Sequence, residues 1–322
     1  MNLTKRTHYN PCFWTALWNH QYYNGFINDR KTTKNCRDQY VYSLNIRSNK
    51  VVRTKVNNVF FENNLGKSEI TKEQAEDYCR RYFPNKYNEL TKYYRDHPDT
   101  LILDFENIFT GVENTDAYKT LLNVIANGKI NTKEEKTFIA TFIVIHKMRN
   151  HSIINAMVEM LQKVGVHRFE HFLWVKEVWS NTDILYSLVV PIIEGQWILY
   201  VTDKFTLPLN DSPIMSKNGN IMVTLSPKML LEINIMIKSD PEKWIAKDYI
   251  PKYKLNEHRH RTILSTFREV IFSDDELLLS WKKSKEYNDR ANLINRITSY
   301  NSIISEEGDK KIWNINAFAG IT

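Results

Sequence analysis

Glycine is scarce in this chain of 322 residues. The nine glycines are scattered singly, and none of them forms a G-x-G-x-x-G, G-x-x-x-x-G-K or G-x-S-x-G pattern. Those patterns place glycine where the backbone must approach a phosphate or make a strained turn. The sequence therefore argues against a classical dinucleotide fold, a P-loop NTPase and a standard α/β-hydrolase.

Cysteine is scarcer still. Cys12, Cys36 and Cys79 show no C-x-x-C spacing, and three thiols cannot supply a four-cysteine zinc site. Their odd number and irregular spacing argue against a framework of disulfides. We therefore expect reduced thiols, which are typical of the cytosol.

Long apolar runs are also missing. The most apolar run, residues 138–145, has eight residues, far fewer than the roughly 20 that span a bilayer. The opening residues, MNLTKRTHYNP, lack the apolar segment of a signal peptide. We predict a cytoplasmic protein with no membrane partner.

Positive charge exceeds negative charge by seven, and the excess is spread along the chain. This bias is compatible with a nucleic acid or another polyanion as partner. It is equally compatible with a solvated surface that carries slightly more lysine than glutamate. Nucleic acid is the partner class that we predict, and the oligomeric state stays open.

The first half of the chain predicts one hairpin followed by helices. Residues 40–47 and 50–56 are β-branched and aromatic, and they flank Ser48-Asn49, which is typical of a two-residue hairpin turn. Thr71 and Thr132 each begin a capping box, and Gly128 is a typical helix terminator. We expect helices after both threonines, before Gly128, and over residues 151–163 and 168–179.

The second half predicts strands and then helices. Residues 197–202, 221–225 and 231–237 resemble strands, and helices are expected near 257–272 and 274–285. We predict an α+β fold, a helical bundle packed with a mostly antiparallel sheet built from the N-terminal hairpin and the later strands. Residues 1–322 form a single domain, or divide into 1–180, with the hairpin and helices, and 181–322, with strands and helices.

Five short motifs in order resemble landmarks of one protein family. His8-Tyr9-Asn10-Pro11 with Phe13 resembles an H-Y-x-P-x-F opening, and residues 56–60 resemble a second landmark. Residues 142–149 are similar to an F-I-x-x-Q-x-x-R-T-P helix, 210–213 to an S-D-N-P turn, and 225–227 to an L-S-P step. The family is bacterial and is known only as domain of unknown function 4238.

The chain departs from that family at three places. Thr7 stands where the family usually has glutamine, His146 replaces a glutamine, and Asn150-His151 replaces Thr-Pro. The resemblance covers nearly the whole chain and implies a shared fold. It implies no established activity, because the family has none.

Three residues are the main candidates for chemistry. His8, among aromatic residues, is a candidate general acid/base or metal ligand, or else it hydrogen-bonds backbone and locks the N-terminal segment. Arg149 follows an apolar helix face, so we expect it to be paired, either with Asp211 or with a substrate phosphate. Asp211 lies in a turn, where it either caps backbone or presents its carboxylate at the end of a strand.

Further candidates surround these three. His146 lies one helical turn before Arg149 and is a weaker catalytic candidate. The candidate substrate-binding residues are Asn10, Ser212, Arg259 and Arg261. His258 to Arg261 is interpreted first as a solvated face and second as a phosphate contact. His167 and His171, four residues apart, are better explained as a surface pair than as zinc ligands.

Two main hypotheses follow. In the first, the protein is a nuclease-like effector that cleaves phosphodiesters. His8 is then the general acid/base, Arg149 stabilises charge on the phosphate, and Asp211 orients His8 or binds a divalent metal ion. A divalent metal ion is the only cofactor that we consider. In the second, it is a non-catalytic binding or regulatory protein whose polar network is structural. Hydrolysis of another small substrate by Cys12 and His8 is a third, weaker hypothesis.

Overall fold

The computed structural model describes residues 6–29, 35–46, 48–63, 66–88, 92, 100–104 and 111–289. Its principal α-helices are α1 (Cys12–Thr15), α2 (His20–Asp29), α3 (Lys72–Tyr82), α4 (Asp116–Asn127), α5 (Lys133–Met148), α6 (His151–Gln162), α7 (Arg168–Ser180), α8 (Thr182–Ile193), α9 (Lys252–Ser265), α10 (Asp275–Lys282) and α11 (Lys285–Asn288). Short 3₁₀ turns cover Ala16–Trp18, Cys36–Asp38, Val56–Asn58 and Pro84–Lys86.

The strands form two larger sheets and two isolated pairs. They are β1 (Arg6–His8), β2 (Tyr40–Asn45), β3 (Lys50–Lys55), β4 (Phe61–Asn63), β5 (Lys67–Thr71), β6 (Thr100–Asp104), β7 (Gly195–Val201), β8 (Leu209–Asn210), β9 (Ile214–Lys217), β10 (Asn220–Ser226), β11 (Met229–Lys238), β12 (Ile245–Lys247) and β13 (Glu269–Phe272). One sheet has the order β12-β7-β11-β10-β9 and the other β3-β2-β13-β8, while β1 pairs with β4 and β5 with β6. Every pairing is antiparallel except β12 with β7. The predicted α+β class with mostly antiparallel strands is confirmed.

The N-terminal hairpin is confirmed, but its turn is longer than predicted. Asn45 pairs with Lys50, so four residues rather than two connect β2 and β3. The side chain of Asn45 accepts a hydrogen bond from the backbone N–H of Ser48 at 3.0 Å. The backbone N–H of Ile46 donates to the carbonyl of Arg268 at 3.1 Å and so leaves the hairpin ladder. Arg47, the predicted last residue of the strand, lies outside the described residues.

The helix predicted near residues 257–272 is partly wrong. Helix α9 ends at Ser265, and Glu269–Phe272 is strand β13, which lies between β2 and β8. Its sequence, EVIF, is β-branched and aromatic, and its neighbours on both sides supply the hydrogen bonds of a central strand. The hairpin therefore joins strands from the C-terminal half, as predicted. The strands of residues 195–238 form a separate sheet.

Helix α5 is the centre of the main core. Helices α4 and α8 pack against it, and these helices cover one face of the five-stranded sheet. Ile139, Phe142 and Ile145 form a buried stripe along this helix, whereas Phe138 is 37% exposed because it faces away from the stripe. The core thus has helices on one side and strands on the other.

The N-terminal segment enters this core instead of covering it from outside. Trp14 and Trp18 are fully buried, and their indole N–H groups donate to the carbonyls of Leu225 and Leu207, both at 2.7 Å. The ring of Trp14 meets that of Phe142 edge-on, with centroids 5.3 Å apart. These contacts attach residues 6–18 to both the helices and the sheet, which positions His8 and Asn10.

Two further expectations concern the thiols and the membrane. The three cysteines are free, as predicted. Among the described residues, no helix combines the length and the apolarity needed to cross a bilayer.

Candidate functional site

Asn10 and His146 form the centre of a buried polar network. The His146 imidazole is 2% exposed, and its Nε2 lies 3.0 Å from the amide oxygen of Asn10. An amide oxygen only accepts, so Nε2 carries the proton and Nδ1 accepts from the hydroxyl of Tyr118 at 3.0 Å. Burial and the nearby Arg149 hold the pKa of His146 well below its ordinary value. The imidazole is therefore neutral, and both nitrogens are bonded within the protein.

The other end of the Asn10 amide extends the network to the later half of the chain. Its nitrogen donates to the carbonyl of Asn210 at 2.9 Å. The side-chain nitrogen of Asn210 in turn donates to the hydroxyl of Ser265 at 2.8 Å, at the end of α9. Asn10, predicted to bind substrate, thus connects β1, α5 and β8.

Arg149 is paired, but its carboxylate partner differs from the predicted one. The side chain is 1% exposed and lies at the C-terminal end of α5. Its guanidinium forms an ion pair with Glu113 and donates to the carbonyl oxygen of His8. The expected ion pair with Asp211 is wrong, because the carboxylate of Asp211 is occupied elsewhere. Glu113 carried no recognisable signal, since it lies between predicted elements.

Asp211 is bound by backbone from another part of the chain. Its carboxylate accepts the N–H groups of Phe267 at 2.8 Å, Arg268 at 2.6 Å and Glu269 at 2.9 Å. The side chain is 2% exposed, and burial raises the pKa of Asp211 to about 6 although the three N–H donors oppose that shift. The carbonyl of Asp211 also accepts from the amide of Asn150 at 3.0 Å. Asp211 therefore caps backbone, as one of its two predicted roles required, but at the start of β13 and not in its own turn.

His8 joins this network mainly through its backbone. Its carbonyl accepts from Arg149, while its imidazole Nε2 lies 3.3 Å from the carbonyl of Asn57 and its ring packs beside Phe61. The residue is 9% exposed. We call the set His8, Asn10, His146, Arg149 and Asp211 the buried junction.

The remaining candidates lie outside the buried junction. Ser212 and Arg259 are half-buried. Arg261 is buried and donates to the carbonyl of Asn220 at 3.1 Å and to the carboxylate of Glu257 at 2.5 Å. His258 is also buried and bonds the hydroxyl of Thr224 at 2.8 Å. The predicted solvated face over residues 258–261 is therefore wrong at two positions, because α9 packs this face against β9 and β10.

The predicted histidine pair on α7 is also only half on the surface. The imidazole of His167 is partly exposed and its Nε2 lies 3.5 Å from a carboxylate oxygen of Asp77, whereas His171 is 2% exposed. Burial lowers the pKa of His171 to about 4. Across the part of the chain that the structure describes, no cluster of three or more His, Cys, Asp or Glu could hold a metal ion.

Arg149 contacts the carbonyl of His8, and the residue after it, Asn150, contacts the carbonyl of Asp211. The side chains of His8, Arg149 and Asp211 are each directed at other protein groups. Comparisons with models of known protein families, with curated proteins and with solved structures found no match. The resemblance to domain of unknown function 4238 therefore stays a proposal.

Proposed function

We propose that this chain is a non-catalytic binding or regulatory protein in which the buried junction holds the fold together. The observation that carries the proposal is the carboxylate of Asp211, which is 2% exposed and accepts three backbone N–H groups. A carboxylate in that position aligns β13 with the rest of its sheet.

The other members of the buried junction support the same interpretation. A general acid or base must come within hydrogen-bond distance of a substrate proton. Both nitrogens of His146 are bonded to Asn10 and Tyr118, and Arg149 is 1% exposed and paired with Glu113. Breaking such a buried pair destabilises a fold by about 3–5 kcal/mol, which is the effect expected of structural groups.

The test compares stability with activity in the same variants. Asn10→Ala and Arg149→Met should each lower the melting temperature by several degrees, measured by differential scanning calorimetry. The unmodified chain should leave RNA and DNA intact in Mg²⁺, Mn²⁺ and Zn²⁺. The proposal is overturned if the chain cleaves nucleic acid and the two variants lose cleavage while melting at the original temperature.

A nucleic-acid partner is a second candidate function. The formal net charge of +7 favours it, as do Lys50 and Arg53, which are exposed on the edge strand β3. Affinity for a mixed-sequence oligonucleotide should then fall steeply as salt rises. Binding that does not depend on salt, or no binding at 50 mM salt, would exclude it. A cytoplasmic location and a nuclease-like activity remain proposals too.

A further inference from the structure

Strand β3 forms an open edge of the four-stranded sheet. It pairs with β2, in the order β3-β2-β13-β8, and no other strand in the described part of the chain lies beside it. Residues 50–53 of β3 are all exposed, and we call these four residues the β3 edge. An open strand edge presents a row of backbone N–H and C=O groups, which can hydrogen-bond a further extended segment.

The β3 edge carries two exposed β-branched residues. Val51 is 42% exposed and Val52 is 40% exposed. Successive residues of a strand point to opposite faces of the sheet, so the two valines offer apolar surface on both faces. Val51 also lies opposite Leu44, a fully buried core residue, so its exposed surface extends that core to the edge. Side chains of an added strand would pack on this apolar surface.

The charge of the β3 edge is positive. Lys55, near the other end of the strand, is paired with the carboxylate of Asp38 at 2.9 Å. Among the described residues, no carboxylate lies within ion-pair distance of Lys50 or Arg53. The guanidinium of Arg53 lies 5.3 Å from the ring centroid of Tyr40, a contact that leaves its charge in place. The β3 edge therefore favours an acidic partner.

The same two charges argue against a second copy of this chain as the partner. If two β3 strands paired antiparallel about their valines, Lys50 of each copy would lie opposite Arg53 of the other. Like charges directly opposite each other destabilise a strand pair, and basic residues on an edge are a common protection against self-association. A nucleic acid would contact the two charges but would use neither the backbone edge nor the valines.

We infer that the β3 edge pairs with an extended segment of an acidic partner protein. Opposite residues 50–53, that segment carries an acidic residue, two apolar residues and a second acidic residue, because cross-strand neighbours of opposite charge and of apolar character stabilise a sheet. The inference names a partner for the proposed binding function and so rests on it, but it involves no residue of the buried junction. Cleavage of nucleic acid would overturn the proposed function, whereas failure to bind such a peptide would overturn only this inference.

Fluorescence anisotropy of a dye-labelled peptide, titrated with the full chain, tests the inference. The probe is Thr-Glu-Val-Val-Glu-Thr, and we expect saturable binding. The same peptide with lysine in place of both glutamates should not bind. N-methylation of the two valines of the probe removes backbone donors and should weaken binding about tenfold or more, because a strand pair depends on backbone hydrogen bonds.

Charge reversal on the β3 edge gives the matching test on the protein. The double variant Lys50→Glu with Arg53→Glu should weaken binding of the probe about tenfold or more, because two attractive cross-strand pairs become repulsive. The control is Lys129→Glu with Lys176→Glu, since both lysines are exposed elsewhere and the net charge changes equally. The control should change the affinity less than about threefold. If the first double variant does not fold, as judged by circular dichroism, the N-methylated probe carries the test on the unmodified chain.

Three results would overturn the inference. They are no binding of the probe at about 1 mM protein, equal loss of affinity in the two double variants, and equal affinity for the N-methylated probe. A single-stranded oligothymidylate separates the other class of partner. If it binds and the peptide does not, and its binding is lost in the Lys50→Glu with Arg53→Glu variant, the β3 edge serves a nucleic acid and the inference is wrong.

Discussion

Replacing Asp211 by alanine should destabilise the folded chain by about 3–5 kcal/mol. The substitution removes the acceptor of three backbone N–H groups, those of Phe267, Arg268 and Glu269. An N–H group left without an acceptor costs about 1–3 kcal/mol. These donors are partly buried, so the lower end of that range applies to each of them. The sum reaches the size expected when a buried polar pair is broken.

The assay is unfolding in urea followed by tryptophan fluorescence, which the eight tryptophans of the chain make sensitive. Asp211→Asn should lose less than Asp211→Ala, because the amide keeps one oxygen that can accept. Asp203→Ala is the control, since Asp203 is exposed in the turn after β7, and its effect should stay within about 0.5 kcal/mol.

A result within about 0.5 kcal/mol of the unmodified chain for Asp211→Ala would refute the reasoning. It would mean that the three bonds do not hold β13 in its sheet. The carboxylate of Asp211 would then be available for another role, and the structural interpretation of the buried junction would lose its main support.

Three other changes have defined outcomes. Burial lowers the pKa of His258 to about 3. Between about pH 6.5 and 3, the unfolded chain therefore binds a proton at this residue that the folded chain does not bind. The free energy of unfolding should fall by about 1.4 kcal/mol for each unit that the pH is lowered in this range. His258→Gln should flatten that slope in urea titrations at pH 7, 6 and 5, and an unchanged slope would contradict it. Burial also lowers the pKa of the fully buried Lys136 to about 8, so Lys136→Met should leave stability unchanged or raise it by about 1–2 kcal/mol. Lys133 is exposed on the same helix, so the control Lys133→Met should change stability little. A clear loss of stability in Lys136→Met alone, measured by calorimetry, would refute this prediction. Gly219→Ala should cost about 1 kcal/mol in the same assay, because Gly219 has φ +70° and a Cβ would lie 2.4 Å from Cγ of Met236. Full stability of this variant would show that the turn adapts.

Local signals were sufficient to place several helices. The side chain of Thr71 accepts from the backbone of Gln74, and α3 begins at the next residue, as predicted. Gly128 has φ +67° and ends α4 where the sequence analysis placed the end. A cap involves residues three or four positions apart, so its chemistry can be recognised in the sequence.

Other local signals were present but missed. Asn218 and Gly219 both have positive φ and connect β9 to β10. An Asn-Gly pair between apolar runs is a strong hairpin signal. Asn181 caps α8 by accepting the backbone N–H groups of Asp183 and Ile184. Helix α8 is apolar along most of its length and contains Pro191, so it shows no clear periodicity.

The buried junction itself could be predicted only in part. Spacing indicated that Arg149 needed a partner, but Glu113 lies 36 residues earlier and no pattern connects them. The role of Asp211 depends on β13, whose residues 269–272 the sequence analysis includes in a helix. Pairing between distant segments is decided by tertiary contacts, which propensity does not contain.

The order in which the chain is synthesised has a consequence for its early residues. Asn10 bonds a residue 200 positions later, Trp14 one 211 positions later, and Tyr9 one 259 positions later. Ribosomes add about 5–20 residues per second, so these partners emerge roughly 10–50 s after the aromatic N-terminal stretch. Throughout that interval the stretch is open to chaperones and proteases, and the last step of folding waits for translation to pass residue 269.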